Sequence, residues 1–266
     1  MAFTLESQHK IRLRKNKRNT SPKVTMSQAN DNNELETSQP LLLSTLSSLS
    51  VDGPNQLILA SQSPRRREIL DMMGLAGRYT VNPSPLDEES LQKELAKTVI
   101  TPQDYSRTLA ESKALALAEH ILKEDTLVDE NSMTAHSTFI LGSDTIVDYS
   151  GSILEKPKSE SDAIGMLRTL SGAYHEVHTG VALYCLKSGS IELVCSFTDT
   201  AKVKFAELGE SDIQAYVNTG EPMDKAGSYG IQGMGGQFVE RMEGDFFTVM
   251  GLPMHRVSRE LAKALS

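Results

Sequence analysis

The sequence predicts an α/β protein built around a mixed β-sheet. An apolar run over residues 57–60 ends at a polar turn and leads into an amphipathic segment that opens with Pro64, a pattern typical of a buried strand followed by a helix. A second apolar run over 139–147 predicts another buried strand. Two longer strand-like stretches, 175–186 and 191–205, are joined by a short turn and predict an antiparallel pair. Strand–helix units beside a long strand pair favour a mixed sheet over a purely parallel one.

The remaining elements follow from local patterns along the chain. Thr101 before Pro102 indicates the start of a long helix, which a polar loop over 124–136 ends. The expected helices cover 64–70, 101–123, 159–170, 210–217 and 253–265. Short strands are expected at 79–82 and 153–154, a glycine-rich loop at 220–236, and a hairpin that pairs 238–242 with 246–250 around Gly244 and Asp245.

Length and charge limit the classes of function. The chain has 266 residues, enough for a full hydrophobic core. Its net charge is −8; residues 1–50 carry seven Lys/Arg against four acids, so the remainder of the chain has a net charge of −11. Such a protein is a poor binder of nucleic-acid polymers, although a local basic cluster can bind a small phosphate compound. No apolar run of about 18 residues is present, so we expect no membrane span.

The first 54 residues differ in composition from the rest. They are polar and rich in Ser, Asn, Thr and Lys, so we expect residues 1–54 to be disordered and residues 55–266 to form the globular domain. No apolar segment follows the N-terminal charges, which argues against a secretory signal. We expect a cytoplasmic protein, with an organellar transit segment as the alternative. Cys185 and Cys195 fall on neighbouring predicted strands, and we expect two reduced thiols there rather than a disulfide or a zinc site.

Arg65, Arg66 and Arg67 occupy the first turn of the expected helix 64–70, after Ser63 as the predicted N-cap. Cations are unfavourable at this end of a helix because the helix dipole is already positive there. Their placement makes sense if free backbone N–H groups and guanidinium groups bind an anion together. A solvated, charged turn is the alternative that the local sequence leaves open.

Asp144 is the most informative single acid. It lies late in an otherwise apolar strand, where a buried carboxylate needs a charged partner or a metal ion. The alternative is an aspartate that caps the following turn. A carboxylate beside a metal ion is well suited to activating water for phosphoryl transfer.

The glycine-rich stretch 227–236 matches no familiar nucleotide-binding loop. No GK[ST] follows it and no strand leads straight into it, so it is neither a P-loop nor a dinucleotide fingerprint. A flexible surface loop is one interpretation, and a packed loop that presents the Gln232 amide to a base edge is the other. His175 and His178 are three positions apart on a predicted strand and therefore face opposite sides, so we expect structural roles for both.

An ordered set of motifs runs from residue 57 to the C-terminus. The motifs are SQSPRRREIL from Ser61, GSDTIV from Gly142, EKP from Glu155, SGAYHEVHTGV from Ser171, GEPMDKAGSYGIQG from Gly220 and GLP from Gly251. This set resembles the Maf family of nucleoside triphosphate pyrophosphatases. The resemblance implies an elongated mixed β-sheet flanked by helices, with two lobes around a central cleft, as in inosine triphosphatase-like proteins. It also implies a homodimer.

The resemblance assigns roles to particular residues. Asp144 matches an aspartate that acts as general base or metal ligand, and Glu88 matches a second ligand for a divalent cation, Mg²⁺ or alternatively Mn²⁺. The neighbouring Asp87 and Glu89 leave that second assignment open by one position. The residues implied around the triphosphate are Arg65, Arg66, Lys113, Lys156 and Lys225. Arg67 matches a variable position and is expected to be exposed.

Three positions point to one branch of that family. Arg65, Thr145 and Gln232 match residues that mark the dTTP/UTP pyrophosphatases, so the resemblance implies hydrolysis of dTTP and UTP to the monophosphate and pyrophosphate. In that reaction, water activated by Asp144 and Mg²⁺ would attack the α-phosphate. One alternative is a nucleotide-binding regulator without turnover, in keeping with the association of the family with division arrest. The missing fingerprints disfavour an oxidoreductase or a P-loop kinase.

Overall fold

The computed structural model describes residues 41–128 and 136–266, which contain a seven-stranded mixed β-sheet. Its strands are β1 (Asn55–Leu59), β2 (Thr80–Val81), β3 (Ser137–Tyr149), β4 (Ser152–Leu154), β5 (Tyr174–Lys187), β6 (Ser190–Phe205) and β7 (Val239–Glu243). The strand order is β2–β1–β3–β5–β6–β7, with β4 paired to β3. β1 runs parallel to β2 and β3, and the other pairs are antiparallel. The expected mixed sheet and the long β5–β6 pair are therefore confirmed.

Helices cover both faces of this sheet. They are α1 (Pro64–Leu70), α2 (Glu88–Leu95), α3 (Pro102–Val128), α4 (Glu160–Leu170), α5 (Glu210–Val217), α6 (Phe246–Met250) and α7 (Met254–Ala264). On β3, Phe139 and Leu141 pack into the core formed with α1 and α7, whereas Ile140 packs against α3. This alternation is the period-two pattern of a strand buried on both faces. Helix α3 continues past residue 123, where the sequence predicted its end, and residues 129–135 of the expected loop lie outside the described residues.

Two glycines allow α3 to lie unusually close to the sheet. A Cβ atom at Gly142 of β3 would clash with the backbone oxygen of Ala110, and one at Gly180 of β5 would clash with the backbone of Ser106. Any larger residue would push α3 away from β3 and β5. The close approach places Lys113 of α3 directly over β3, within hydrogen-bonding distance of Asp144.

The hairpin expected around Gly244 and Asp245 is wrong in its second half. β7 forms as predicted, but Phe246–Met250 is helix α6 rather than a strand. Gly244 follows Glu243, the last residue of β7 paired with β6, and adopts a φ of 109°; the side chain of Asp245 then accepts a hydrogen bond from the Phe247 N–H (2.9 Å). This N-cap starts a helix at residues whose apolar, partly β-branched composition favoured a strand.

The expectation of disorder over residues 1–54 is wrong for the segment after residue 40. Two short 3-10 helices, Leu42–Ser44 and Leu46–Ser48, bring Leu42 and Leu49 into the core formed with α1 and α7. The backbone N–H of Leu42 donates to Ser258 Oγ on α7 (3.0 Å), which fixes the segment to the C-terminal helix. Residues 1–40 of that prediction lie outside the described residues.

Two separate clusters of buried apolar residues lie on the two sides of a cavity. One cluster joins α1, α7 and the ends of β1 and β3, and another joins α4, α5 and β6.

Cys185 and Cys195 are free and partly buried on β5 and β6, and burial raises the pKa of Cys195 to about 11. Within the described ranges, no helix combines the length and the apolar character needed to cross a bilayer.

Candidate active site

A cavity of about 450 Å³ lies between the two apolar clusters. Its walls come from the turn after β1, the middle of β3, the segment 224–232 and the C-terminal end of α6. All of the site residues that the sequence analysis assigned line it, although they come from positions far apart in the chain. They are Arg65, Arg66, Glu88, Lys113, Asp144, Thr145, Lys156, Lys225 and Gln232.

Lys113 binds two carboxylates at one end of the cavity. Its Nζ atom donates to Asp144 Oδ1 at 2.6 Å and lies 2.9 Å from Glu88 Oε1. The side chains of Lys113 and Asp144 are each only 10% exposed, whereas Glu88 at the start of α2 is 36% exposed. A lysine of α3, a carboxylate of β3 and a carboxylate of α2 thus form one charged group that excludes most water.

Asp87 and Glu89 do not reach this group. The side chain of Asp87 caps α2 by accepting from the Ser90 N–H (3.1 Å), and Glu89 binds Lys93 one turn further along the helix (2.7 Å). The geometry therefore favours Glu88 among the three neighbouring acids that the sequence left open.

Arg66 is buried and is fixed by three acceptors. Its Nε donates to the Gly251 carbonyl (2.9 Å), its Nη1 to Ser61 Oγ (2.9 Å) and its Nη2 to Thr145 Oγ1 (3.3 Å). Burial lowers the pKa of Arg66, an effect that the nearby Asp144 opposes. The guanidinium group therefore ties the turn after β1 to β3 and to the end of α6, while it remains part of the cavity wall. Arg67 is exposed and does not line the cavity.

The hydroxyl groups of Thr145 and Thr179 extend this arrangement across β3 and β5. Their Oγ1 atoms are 2.9 Å apart, and Thr179 donates onward to the Thr248 carbonyl of α6 (2.7 Å). Ser63 precedes α1 as expected but makes no side-chain cap; instead its N–H donates to Ser61 Oγ (3.2 Å). No local pattern indicated that Thr179 would support the site, because its partners Thr145 and Thr248 are distant in the chain.

Asp224 is a site residue that the sequence analysis missed. It accepts from Arg65 Nη1 (2.8 Å) through Oδ2 and from Lys225 Nζ (2.6 Å) through Oδ1. Burial alone would raise the pKa of Asp224, but the hydrogen bonds from Lys225 and Arg65 lower it, so the group is an anion that holds two cations in place. The sequence shows Asp224 beside Lys225. It does not show the contact with Arg65, because these two residues are 159 positions apart.

A carboxylate also holds the glycine-rich loop. Glu221 accepts from the N–H groups of Met234 (3.0 Å) and Gly235 (3.2 Å) and from the hydroxyl of Tyr216 (2.9 Å). A Cβ atom at Gly233 would lie 2.5 Å from Glu221 Oε1, so only glycine fits against this carboxylate. The loop is therefore packed rather than flexible, and it carries the exposed side chain of Gln232 at the mouth of the cavity.

His175 and His178 face opposite sides of β5, as the strand period predicts. His175 packs edge-on against the rings of Phe205 and Tyr229, and its Nε2 lies 2.9 Å from the Tyr229 hydroxyl. His178 instead meets Asp148 and Glu176, and one side-chain donor atom from each of these three residues lies within 4.8 Å of the others. No local pattern indicated this second group, although Glu176 and His178 stand two positions apart on one strand.

Comparison with known proteins agrees with this geometry. A family profile described as "Maf-like protein" matches residues 56–264. The dTTP/UTP pyrophosphatase of Geobacillus sp. (strain WCH70) is 42% identical over 208 residues, which cover 78% of this chain and 97% of the relative. The dTTP/UTP pyrophosphatase of Aquifex aeolicus (strain VF5) is 41% identical over 209 residues, with coverages of 77% and 95%.

A human relative is much longer. The "Probable bifunctional dTTP/UTP pyrophosphatase/methyltransferase protein" of Homo sapiens is 42% identical over 211 residues, which cover 78% of this chain and 32% of the relative. The chain therefore spans about a third of that protein. Among solved structures, the Ham1 protein of Staphylococcus aureus aligns at a TM-score of 0.29 and 15% identity, over 57% of this chain and 72% of that one. The profile match and the extended identity to relatives of similar length establish that this chain belongs to the Maf-like protein family.

Proposed function

We propose that this protein hydrolyses dTTP and UTP between the α and β phosphates and releases the nucleoside monophosphate and pyrophosphate. The observation that carries the proposal is the convergence of cationic side chains and paired carboxylates on one cavity. Relatives about 42% identical to this chain are named as dTTP/UTP pyrophosphatases, which supports the same reaction.

The cationic side chains are arranged along the cavity in a way that suits a triphosphate. Arg65 and Lys225 are held at one side by Asp224, and Lys113 is held at another by Asp144. Lys156 has no ion-pair partner within 4 Å in the part of the chain that the structure describes. Fixed positive charges around a polyphosphate stabilise the charge that develops on the leaving pyrophosphate.

Glu88 and Asp144 fit a divalent cation. Both already face one cationic group, the Lys113 ammonium, and both line a cavity large enough to bring phosphate oxygens beside them. Mg²⁺ favours one or two carboxylates completed by phosphate oxygens and water, so these two residues would hold it. A bound divalent ion supplies charge neutralisation at the phosphate oxygens and makes a nearby water a better nucleophile.

The residues of the chain then have separate tasks. Asp144 accepts the proton of the water that attacks the α-phosphorus, the bond from that phosphorus to the bridging oxygen breaks, and pyrophosphate leaves with the bridging oxygen. Lys113 orients Asp144 through their hydrogen bond, and its ammonium can also pair with a phosphate oxygen. Arg66 holds the surrounding walls together through Gly251, Ser61 and Thr145.

The nucleotide base would be selected at the mouth of the cavity, where Gln232 lies. The Gln232 amide can donate to a carbonyl oxygen and accept from the adjacent N3–H, a pair that thymine and uracil both present. Cytosine has an acceptor at N3 and an amine at C4, so it leaves one of these groups unpaired. Such a mismatch costs about 1–3 kcal/mol, or roughly 10- to 200-fold in kcat/KM.

Pyrophosphate release from a panel of triphosphates tests this function. The panel is dTTP, UTP, CTP, GTP and 7-methyl-GTP, each with and without Mg²⁺, with kcat/KM as the readout. We expect dTTP and UTP to lead and the activity to need the divalent ion. Binding without turnover would instead identify a nucleotide-binding regulator, and a lead for GTP or 7-methyl-GTP would refute the pyrimidine assignment.

A further inference from the structure

A second polar group lies on the face of the sheet that α3 covers. The β3–β5 register sets Asp148 directly opposite Glu176, and His178 stands two positions further on β5, on the same face as Glu176. None of these three residues lines the nucleotide cavity. The group is therefore separate from the site of the proposed reaction.

The charges of this group are not balanced by neighbouring side chains. His178 is fully buried, and its side chain lies beside both carboxylates. The side chain of Asp148 is only 14% exposed. Among the described residues, no lysine or arginine nitrogen lies within 4 Å of either carboxylate. The nearly buried Asp148 accepts from the Gly151 N–H (2.8 Å) but has no cationic side chain beside it, and a divalent ion would balance its charge together with that of the half-exposed Glu176.

The lysine that could neutralise Glu176 is turned elsewhere. Lys202 lies across from Glu176 in the β5–β6 register. Its Nζ atom instead lies 4.8 Å from the centre of the Tyr174 ring and makes a cation–π contact with that ring. The space between Glu176, Asp148 and His178 is left without a cation from this strand.

The imidazole is oriented as a ligand would be. Its Nδ1 lies 2.8 Å from Thr200 Oγ1, and a proton donated to that hydroxyl leaves the lone pair of Nε2 facing the carboxylates. Nε2 is 3.4 Å from Glu176 Oε2 and 3.8 Å from Asp148 Oδ2. Two ligand atoms of a tetrahedral ion with bonds of about 2.05 Å lie roughly 3.4 Å apart. Small side-chain rotations would therefore bring these three atoms to the spacing of tetrahedral ligands. The side-chain amide nitrogen of Gln103 on α3 lies 3.5 Å from Nε2, which places this helix beside the group.

We propose that Asp148, Glu176 and His178 bind a divalent transition-metal ion at a site separate from the nucleotide cavity. One imidazole nitrogen with two carboxylates suits Zn²⁺ or Mn²⁺ and does not suit Mg²⁺, which favours oxygen ligands alone. The ion would join β3 to β5 and, through Thr200, would fix the ring against β6. The proposal does not depend on the enzymatic activity.

Mn²⁺ is a suitable probe because pulsed EPR distinguishes its ligands. The full chain is stripped with a chelator and loaded with Mn²⁺, and the spectrum is searched for coupling to an imidazole ¹⁴N nucleus. Among the described residues, no histidine lines the nucleotide cavity, so an ion bound by Glu88 and Asp144 gives no such coupling. We expect nitrogen coupling in the wild type and in Asp144→Asn, and none in His178→Gln.

Glu176→Gln provides the test if the His178 variant does not fold, since the Glu176 side chain is 45% exposed. We expect it to lower the affinity of the nitrogen-coupled Mn²⁺ at least tenfold, while Glu243→Gln, an exposed glutamate of β7, leaves it unchanged. Zn²⁺ should raise Tm by roughly 5 °C in the wild type and much less in Glu176→Gln. Absence of nitrogen coupling in the wild type, its loss in Asp144→Asn, or its persistence at equal affinity in either cluster variant would overturn the proposal.

Discussion

Lys113 Nζ lies 2.6 Å from Asp144 Oδ1, and this contact joins the longest helix to the centre of the sheet. It exists because Gly142 removes a side chain at the point where α3 crosses β3, which lets the lysine reach the strand. The Lys113 ammonium therefore offsets part of the cost of nearly burying the Asp144 carboxylate. A carboxylate held in this state is ready to accept a proton from water.

Asp144→Asn tests that role. The amide is almost isosteric and still accepts a hydrogen bond from Lys113, but it cannot take a proton, so we expect pyrophosphate release to fall by at least ~10²-fold. Nucleotide binding and Tm should change little. Initial rates, calorimetric titration with nucleotide and a thermal melt measure the three quantities. A variant with near wild-type turnover would show that another group activates the water.

Glu88→Gln and Glu89→Gln form a matched pair on adjacent residues. Only Glu88 reaches Lys113 in the cavity, whereas Glu89 binds the exposed Lys93. We expect Glu88→Gln to raise the Mg²⁺ concentration for half-maximal activity roughly 10- to 100-fold, and Glu89→Gln to leave it unchanged. Equal effects of the two changes, or a larger effect at Glu89, would reject Glu88 as the second metal ligand.

Local sequence patterns correctly predicted the strands and helices that depend mainly on local interactions. The run over 57–60 and Pro64 gave β1 and α1, and the short turn between 186 and 191 gave the β5–β6 pair. The motif resemblance named site residues from separate elements, such as Lys113 of α3 and Asp144 of β3, and the fold brings them to one cavity.

Other features depend on contacts that no local pattern encodes. Asp224 owes its role to Arg65, far away in the chain, and Leu42 owes its burial to α7. Phe246–Met250 is apolar enough for a strand, and only the cap from Asp245 and the turn at Gly244 make it a helix. Such outcomes follow from tertiary packing that overrides intrinsic propensity.

Deletion of residues 1–50 should destabilise the protein, because it removes the fully buried side chains of Leu42 and Leu49. We expect Leu49→Ala alone to lower the free energy of unfolding by about 2–4 kcal/mol, as for other leucines truncated in a core. Leu43→Ala is the control, because Leu43 is 72% exposed and should cost less than about 0.5 kcal/mol. Urea unfolding measures all three proteins, and equal stability of the two leucine variants would contradict the packing of this segment.

His175 should make stability depend on pH. Burial lowers its pKa to about 4, and among the described residues its Nδ1 has no hydrogen-bond partner. The unfolded chain, with a pKa near 6.5, binds the proton more tightly. The contribution of the neutral ring is therefore complete above about pH 6.5 and is lost as the pH falls toward 4.

We expect the lost contribution to reach about 3 kcal/mol at pH 4. Urea unfolding of the wild type and of His175→Gln at several values between pH 7 and pH 4 measures it. The wild type should lose more stability than the variant over this range, since glutamine does not titrate. Parallel curves for the two proteins would mean that the ring is accessible to protons in the folded state.

The carboxylate of Glu221 controls the position of Gln232. It receives the N–H groups of Met234 and Gly235, and the hydroxyl of Tyr216 links it to the N–H of Gly230 (3.1 Å). Burial alone would raise the pKa of Glu221, but the N–H groups of Gly235 and Met234 lower it, so an anion holds both ends of the loop that carries Gln232. A loop without this anchor would present the amide in several positions.

Glu221→Ala should therefore affect base selection more than bond cleavage. We expect KM for UTP to rise roughly tenfold and the UTP-to-CTP ratio of kcat/KM to fall toward that of Gln232→Ala, with a smaller change in kcat. Glu221→Gln keeps one acceptor for the loop and should restore part of the selectivity, whereas a purely structural defect would lower the activity toward UTP and CTP alike. The readout is kcat and KM for both nucleotides in the three variants. An unchanged UTP-to-CTP ratio in Glu221→Ala together with a reduced ratio in Gln232→Ala would show that Gln232 selects the base without help from Glu221.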